Sequence, residues 1–149
     1  MKKFSPLFGV VLSLLLNWAT PAHAFDYYLK IDGIDGDVSV PLVKNGNVVL
    51  SFSHGVSQAA GATQGSAVFD DFKIFKPLDS ASPLLALNCL TGAKISTVSL
   101  FGLGTDLKSA RYRVNLTNAR ITSTLVGGST GGQQPTETVT FSYERIEWI

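Results

Sequence analysis

Two histidines, His23 and His54, and one cysteine, Cys89, supply all the imidazole and thiol groups of this 149-residue chain. A zinc site takes about four ligands, drawn mostly from these two types and closely spaced, and no such cluster exists here. His54 falls on the apolar side of a predicted strand, so a core or interface histidine satisfied by its neighbours is expected rather than a catalytic base. A Ser-His-Asp arrangement would have to recruit His54, a serine and Asp70 or Asp71, yet the G-x-S-x-G elbow that exposes a nucleophilic serine is missing. Asp32, Asp35 and Asp37 crowd carboxylates into one turn, as a calcium loop would. The glutamate that closes an EF-hand loop would fall at Val43, however, so these three read as solvated turn-formers. Asp70 and Asp71 are adjacent on a predicted strand and point to opposite faces, which is the wrong geometry for a pair of glycosidase carboxylates. The glycine run at 127–132 lacks the Lys-Ser/Thr ending of a phosphate loop and leads into a strand, so it reads as a flexible connection. The residues therefore predict no catalytic centre, no metal and no cofactor.

The elements that must carry these residues begin after a leader. Lys2 and Lys3 form a positive start, Leu7 to Leu16 a compact apolar run, and Ala22-His23-Ala24 a small-residue cleavage site. Together they predict a secretory signal peptide over residues 1–24, removed after Ala24. The apolar run is about half the ~20 residues that a membrane-spanning helix needs. An exported product, periplasmic or secreted and free of a membrane anchor, is the expectation. The whole chain has 12 Lys+Arg and 11 Asp+Glu, and removal of Lys2 and Lys3 takes residues 25–149 to a formal charge of −1. That near-neutrality excludes the basic face a nucleic-acid binder requires.

Residues 25–149 suffice for one domain with one core. With Cys89 alone no intrachain disulfide is possible, so stability must come from packing or assembly. Cys89 sits in the apolar run Leu84 to Leu90, which predicts a buried, inert thiol. Val, Thr, Ser, Phe and Gly dominate in short alternating runs between turn signals, which is an all-β pattern. Strands are predicted over 25–31, 38–40, 48–54, 67–76, 94–101, within 107–126, and around 138–143. Asn45-Gly46 predicts a type I′ hairpin turn, and Gly55 to Gly65 a mobile loop. Val48, Leu50, Phe52 and His54 should face one way, with Val49, Ser51 and Ser53 on the other side. That second, serine-lined side is either a solvated sheet face or the lining of a ring lumen. The one change of period is at Ser82-Pro83. There a hydroxyl N-cap, a proline in the first turn, apolar residues 84–90 and Gly92 as the closing residue predict a short helix near 82–91.

Six local motifs follow one another in a familiar order. They are Tyr28 to Gly36 (YLKIDGIDG), Phe52 to Gln58 (FSHGVSQ), Phe69 to Leu78 (FDDFKIFKPL), Asp79 to Gly92 (DSASPLLALNCLTG), Leu116 to Ser123 (LTNARITS) and Pro135 to Trp148 (PTETVTFSYERIEW). In this order the chain resembles the haemolysin-coregulated protein (Hcp) family, the tube proteins of type VI secretion, over essentially all of residues 25–148. The resemblance implies a small two-sheet β-barrel with one flanking helix, non-enzymatic and assembled as homohexameric rings. Such rings stack as a tube and carry effector proteins in the lumen. It also implies that Ser53, at the small position between two aromatics of the family's Trp-Ser-Trp-Gly motif, faces that lumen; His54 stands at the second aromatic. The family's inter-ring loop corresponds to roughly 37–47, with Pro41, Val43, Asn45 and Gly46 as its contact residues. The leader adds an alternative, an exported binding or structural module that uses the fold outside the tube.

Overall fold

The computed structural model describes residues 24–61 and 63–149, so the leader expected over 1–24 lies outside it except for Ala24. Among the described residues the elements are ten strands and one helix, the mainly β class read from the sequence. β1 (Asp26–Ile31) buries Leu29 and Ile31 completely, as strand alternation requires. The chain then leaves through Gly33 at φ 81°, a left-handed position that glycine adopts without strain.

The segment expected to be a strand at 38–40 is instead the first arm of an irregular hairpin. Val38 and Gly46 exchange backbone hydrogen bonds at 3.1 and 2.6 Å, and Val40 and Val43 exchange theirs at 2.9 and 3.1 Å. The reversal is therefore at Pro41-Leu42, not at Asn45-Gly46. Only Asn45 of that pair has positive φ, at 51°, whereas a type I′ turn needs both residues there. Gly36 crosses Gly46 so closely that a Cβ on Gly36 would lie 2.2 Å from the Gly46 carbonyl oxygen.

β2 (Asn47–Val49) and β3 (Ser51–Ser53) are two stretches of one extended segment, separated by Leu50. The expected single alternation breaks at that residue. Asn47 and Val49 are buried, Leu50 is exposed, and beyond it Phe52 turns inward while Ser51 and Ser53 face out. The break is physical. Residues 47–49 pair with β1, residues 51–53 with β6 (Phe72–Pro77), and Leu50 turns the segment from one partner to the other, its N–H donating to the Phe75 carbonyl at 2.7 Å. Within the expected loop 55–65, Val56–Ser57 (β4) starts a two-stranded ladder with Val68–Phe69 (β5). Asp70 and Asp71 separate β5 from β6, whose Phe72 and Ile74 are buried as predicted.

α1 (Ser82–Thr91) has Pro83 in its first turn and ends on Gly92 at φ 65°. Ser82 does not serve as its N-cap. Ala81 takes that place, the Asp79 carboxylate accepts the Ala81 N–H at 3.0 Å, and the Ser82 hydroxyl donates to Glu137 at 2.6 Å. A buried carboxylate thus captures the hydroxyl that capping would have used. Leu85 anchors the helix, fully buried against the sheet.

β7 (Ile95–Leu103), β8 (Ala110–Gly127), β9 (Thr136–Ser142) and β10 (Arg145–Trp148) complete the chain. β8 is long because it serves both halves of the sheet. Up to Ala119 it pairs with β7, from Arg120 onward with β9, and β10 lies along residues 114–117. Val114 and Leu116 are buried, then Ala119 and Ile121, so the inward phase slips by one residue between them. Asn118 absorbs the slip at φ 52°, a conformation that asparagine tolerates better than most residues. β10 is an extra strand beyond those read from the sequence.

The ladders run β2-β1-β7-β8-β9-β6-β3, all antiparallel. This corrects the closed two-sheet barrel, because the order is an open path. Its ends, β2 and β3, already share one segment through Leu50, so no separate strand is left to seal the ring by pairing. The apolar residues that the path encloses, among them Leu29, Leu100, Leu116, Val139 and Phe141, form one core with Leu85 of α1.

Candidate functional site

Register places Ser53 in a cross-strand row on the exposed face of the sheet. Ser53 stands beside Lys73, Lys73 beside Thr140, and Thr140 beside Ser123. Two residues along, Ser51, Phe75, Thr138 and Leu125 form a second row on the same face. Thr140 is nearly buried and Thr138 half-buried; the other members are exposed. Behind them Ile74 and Val139 are buried, so the exposed rows back directly onto hydrocarbon at these positions. The serine-lined side that alternation predicted holds for Ser51 and Ser53 but not for Val49, which is buried, and Phe75 and Leu125 are apolar members that the strand pattern did not isolate.

Ser53, His54, Gly55, Asp70, Asp71 and Lys73 line an open concavity of about 560 Å³. The ingredients of a Ser-His-Asp arrangement are thus close together, but their geometry is spent elsewhere. The Tyr143 hydroxyl donates to the Asp70 carbonyl at 2.9 Å. Its only proton is used there, so His54 Nε2–H must be the donor in the 2.5 Å contact with Tyr143. The His54 ring packs among Phe69, Phe72, Tyr143 and Trp148, at centroid separations of 5.4–6.4 Å. Ser53, its neighbour along the strand, projects to the opposite face. His54 is a satisfied, half-buried aromatic, the role expected of it. Burial, and the nearby charges of Asp71 and Asp70, push the Tyr143 phenol above its ordinary pKa.

The three turn carboxylates do not converge. Asp35 pairs with Lys30 at 3.2 Å, Asp32 accepts from the Ser96 hydroxyl, and Asp37 accepts from the hydroxyl and backbone N–H of Ser80. The Ser80 hydroxyl, then its N–H, hold the Asp37 carboxyl below the usual carboxylate range. No cluster of three metal-ligating side chains occurs among the described residues. Of the residues expected in an inter-ring loop, Pro41 and Asn45 are exposed, whereas Val43 and Gly46 are buried. Val43 tucks against Gly46, where an added Cβ would lie 2.7 Å from the Val43 side chain. Cys89 is half-buried and packs against the core.

One group escaped sequence reasoning. Lys76 and Glu137 are 0% and 1% exposed, face each other in the β6–β9 register and join at 2.8 Å. Lys76 also donates to the Pro77 carbonyl at 2.9 Å and forms a second ion pair with Asp79 at 2.9 Å, so two carboxylates and a carbonyl surround the ammonium. The only sequence signal is that Lys76 falls in phase with the apolar inward residues Phe72 and Ile74 of its strand. Its partner lies 61 residues away.

The sequence profile of the family described as "Type VI secretion system effector, Hcp" matches residues 28–149. The chain belongs to the Hcp family. Solved Hcp-related structures superpose on it closely. A type six secretion system protein is 30% identical, with 84% of this chain and 83% of that one covered at a TM-score of 0.75. A type VI secretion system effector from Yersinia pestis is 29% identical, covering 83% and 88% at 0.72. Hcp1 from Salmonella typhimurium is 27% identical, covering 84% and 85% at 0.75. No curated protein matches the sequence. The matched residues run from Tyr28 to the end of β10 and include the helix between β6 and β7.

Proposed function

We propose that this Hcp protein is a non-enzymatic subunit that assembles as hexameric rings, stacks them as a tube and carries effector proteins in the lumen. The reading rests on one observation above all, the exposed hydroxyl-bearing face formed by Ser53, Ser51 and Ser123 directly opposite the hydrocarbon core. A strand-built face that carries mostly hydroxyls, one ammonium and the apolar Phe75 and Leu125 suits a wall along which varied polypeptides pass. In this assembly the open path from β2 to β3 acts as a barrel wall, Ser53 faces the lumen, and the hairpin around Pro41 meets the next ring.

Replacing Ser53 with arginine tests that orientation. A lumen-facing side chain has room, so Ser53→Arg should leave the mass of the ring unchanged. Collapse of the ring to monomers would place Ser53 in a subunit contact instead.

The leader supports a second reading, an exported periplasmic or secreted module that keeps the fold outside a tube. Its support is the sequence of Lys2-Lys3, the apolar run 7–16 and Ala22-His23-Ala24. Intact-mass measurement of the protein from each cell compartment separates the two. A species starting at Phe25 outside the cytoplasm favours export, and a full-length cytoplasmic species favours the ordinary tube subunit.

A further inference from the structure

The hydroxyl-bearing face changes character along its length. The exposed side chains at and just before β6 are Asp71, Lys73 and Phe75, an acid, a base and an aromatic ring at every second position. In extended chain that spacing is roughly 7 Å. Lys73, Phe75, Ser51, Ser53 and Thr138 line a shallow pocket of about 140 Å³, and no acidic residue takes part in its lining. The ion pairs among the described residues engage Lys30, Lys76, Lys94 and Arg145, and Lys73 is in none of them. Ser51 and Ser53, which pair with Phe75 and Lys73 in the β3–β6 register, are exposed, and each hydroxyl can donate one hydrogen bond.

An ammonium flanked by hydroxyl donors is matched by a carboxylate, which accepts from all of them. The Phe75 ring on the other side of the pocket gains only from an apolar group, whose contact removes both from water. Leu125 stands across Thr138 in the same cross-strand row, exposed like Phe75, and widens the apolar band. Asp71 fixes the register from the opposite end, because a second acid placed over it would meet a like charge. A phosphate backbone suits this pattern poorly, since it repeats its charge and would bring the next one onto the Phe75 ring or against Asp71.

We infer that this pocket recognises an extended cargo segment that carries an acidic side chain two residues from an apolar one, the acid over Lys73 and the apolar group over Phe75. The inference rests on the reading of this face as the wall that cargo meets, and it adds the chemistry of the cargo. Repeated around a ring, contacts that are weak one by one add up while each still lets go, which suits a wall that must carry and release.

Fluorescence anisotropy on the purified protein with a labelled peptide, Ser-Glu-Ser-Leu-Ser, tests this against the same peptide with Gln in place of Glu. The wild-type protein should bind the Glu peptide about tenfold more tightly, the size of one charge-assisted hydrogen bond. Lys73→Gln should erase that preference with its melting temperature unchanged, and Lys73→Arg should keep it. Phe75→Ser should weaken both peptides alike, by about fivefold, through the lost apolar contact. Equal binding of the two peptides by the wild-type protein overturns the inference. So does a preference that survives in Lys73→Gln, or no binding of either peptide at millimolar concentration. Light-scattering mass of the same samples keeps the two readings apart: a wild-type protein that stays monomeric removes the ring, while the peptide affinities still decide what the pocket recognises.

Discussion

Lys76 is the residue on which most polar structure depends. A charge removed from water is tolerable when it is paired and hydrogen-bonded, and Lys76 has the carboxylates of Glu137 and Asp79 and the Pro77 carbonyl around it. Removing one partner leaves the other buried and uncompensated. Lys76→Met should therefore destabilise the fold by about 3–5 kcal/mol, the usual cost of orphaning a buried ionic partner. The double replacement Lys76→Met with Glu137→Leu should recover most of that loss, because two apolar side chains then face each other across the β6–β9 ladder. Urea denaturation of the three proteins checks this, and a single variant no worse than the double would contradict it. Residue identities were legible where a local rule decides them. Phe72 and Ile74 are inward, Ser51 and Ser53 outward, and His54 a packed aromatic. Lys76–Glu137 and Asp37–Ser80 were not legible, because neighbours 61 and 43 positions apart leave no trace in spacing.

At the scale of elements, helix α1 was readable because its signals are contiguous: a proline in the first turn, two turns of apolar residues and a terminal glycine. Gly92 takes φ 65° with open space around the position of a Cβ, so the cost of a side chain there is conformational alone. Gly92→Ala should lower stability by about 1 kcal/mol. In thermal unfolding this corresponds to a fall of roughly 4 °C for a domain of this size, and an unchanged melting temperature would contradict the assignment. The strands were harder. Period-two alternation finds a strand but assumes one partner face along its length, and two segments break that assumption. Leu50 turns one segment from β1 to β6, and Asn118 turns β8 from β7 to β9. Both are changes of hydrogen-bonding partner, which depend on strands remote in sequence. The same limit explains the misplaced turn: Asn45-Gly46 is a strong local hairpin signal, yet the crossing of Gly36 under Gly46 moves the reversal to Pro41-Leu42.

At the scale of the molecule, the order of motifs carried more than any composition measure did, since it pointed to Hcp-like architecture before strand order was known. The matching profile over 28–149 and the superposed relatives agree on that architecture. The barrel expected from it is an open path of ladders whose two ends meet in a single segment, an economical way to curl a sheet without an extra strand. One face of this sheet is hydroxyl-rich, and several large apolar side chains, including Val68, Phe69 and Trp148, stay exposed elsewhere on the protomer. Such apolar surface on a protein without disulfides fits a subunit that completes its burial by assembly. The mass of the purified protein in solution tests this most directly. Size-exclusion chromatography with multi-angle light scattering should give a particle of hexamer mass, visible as rings under negative stain. A strictly monomeric mass at every concentration, with no rings on the grid, would contradict the account.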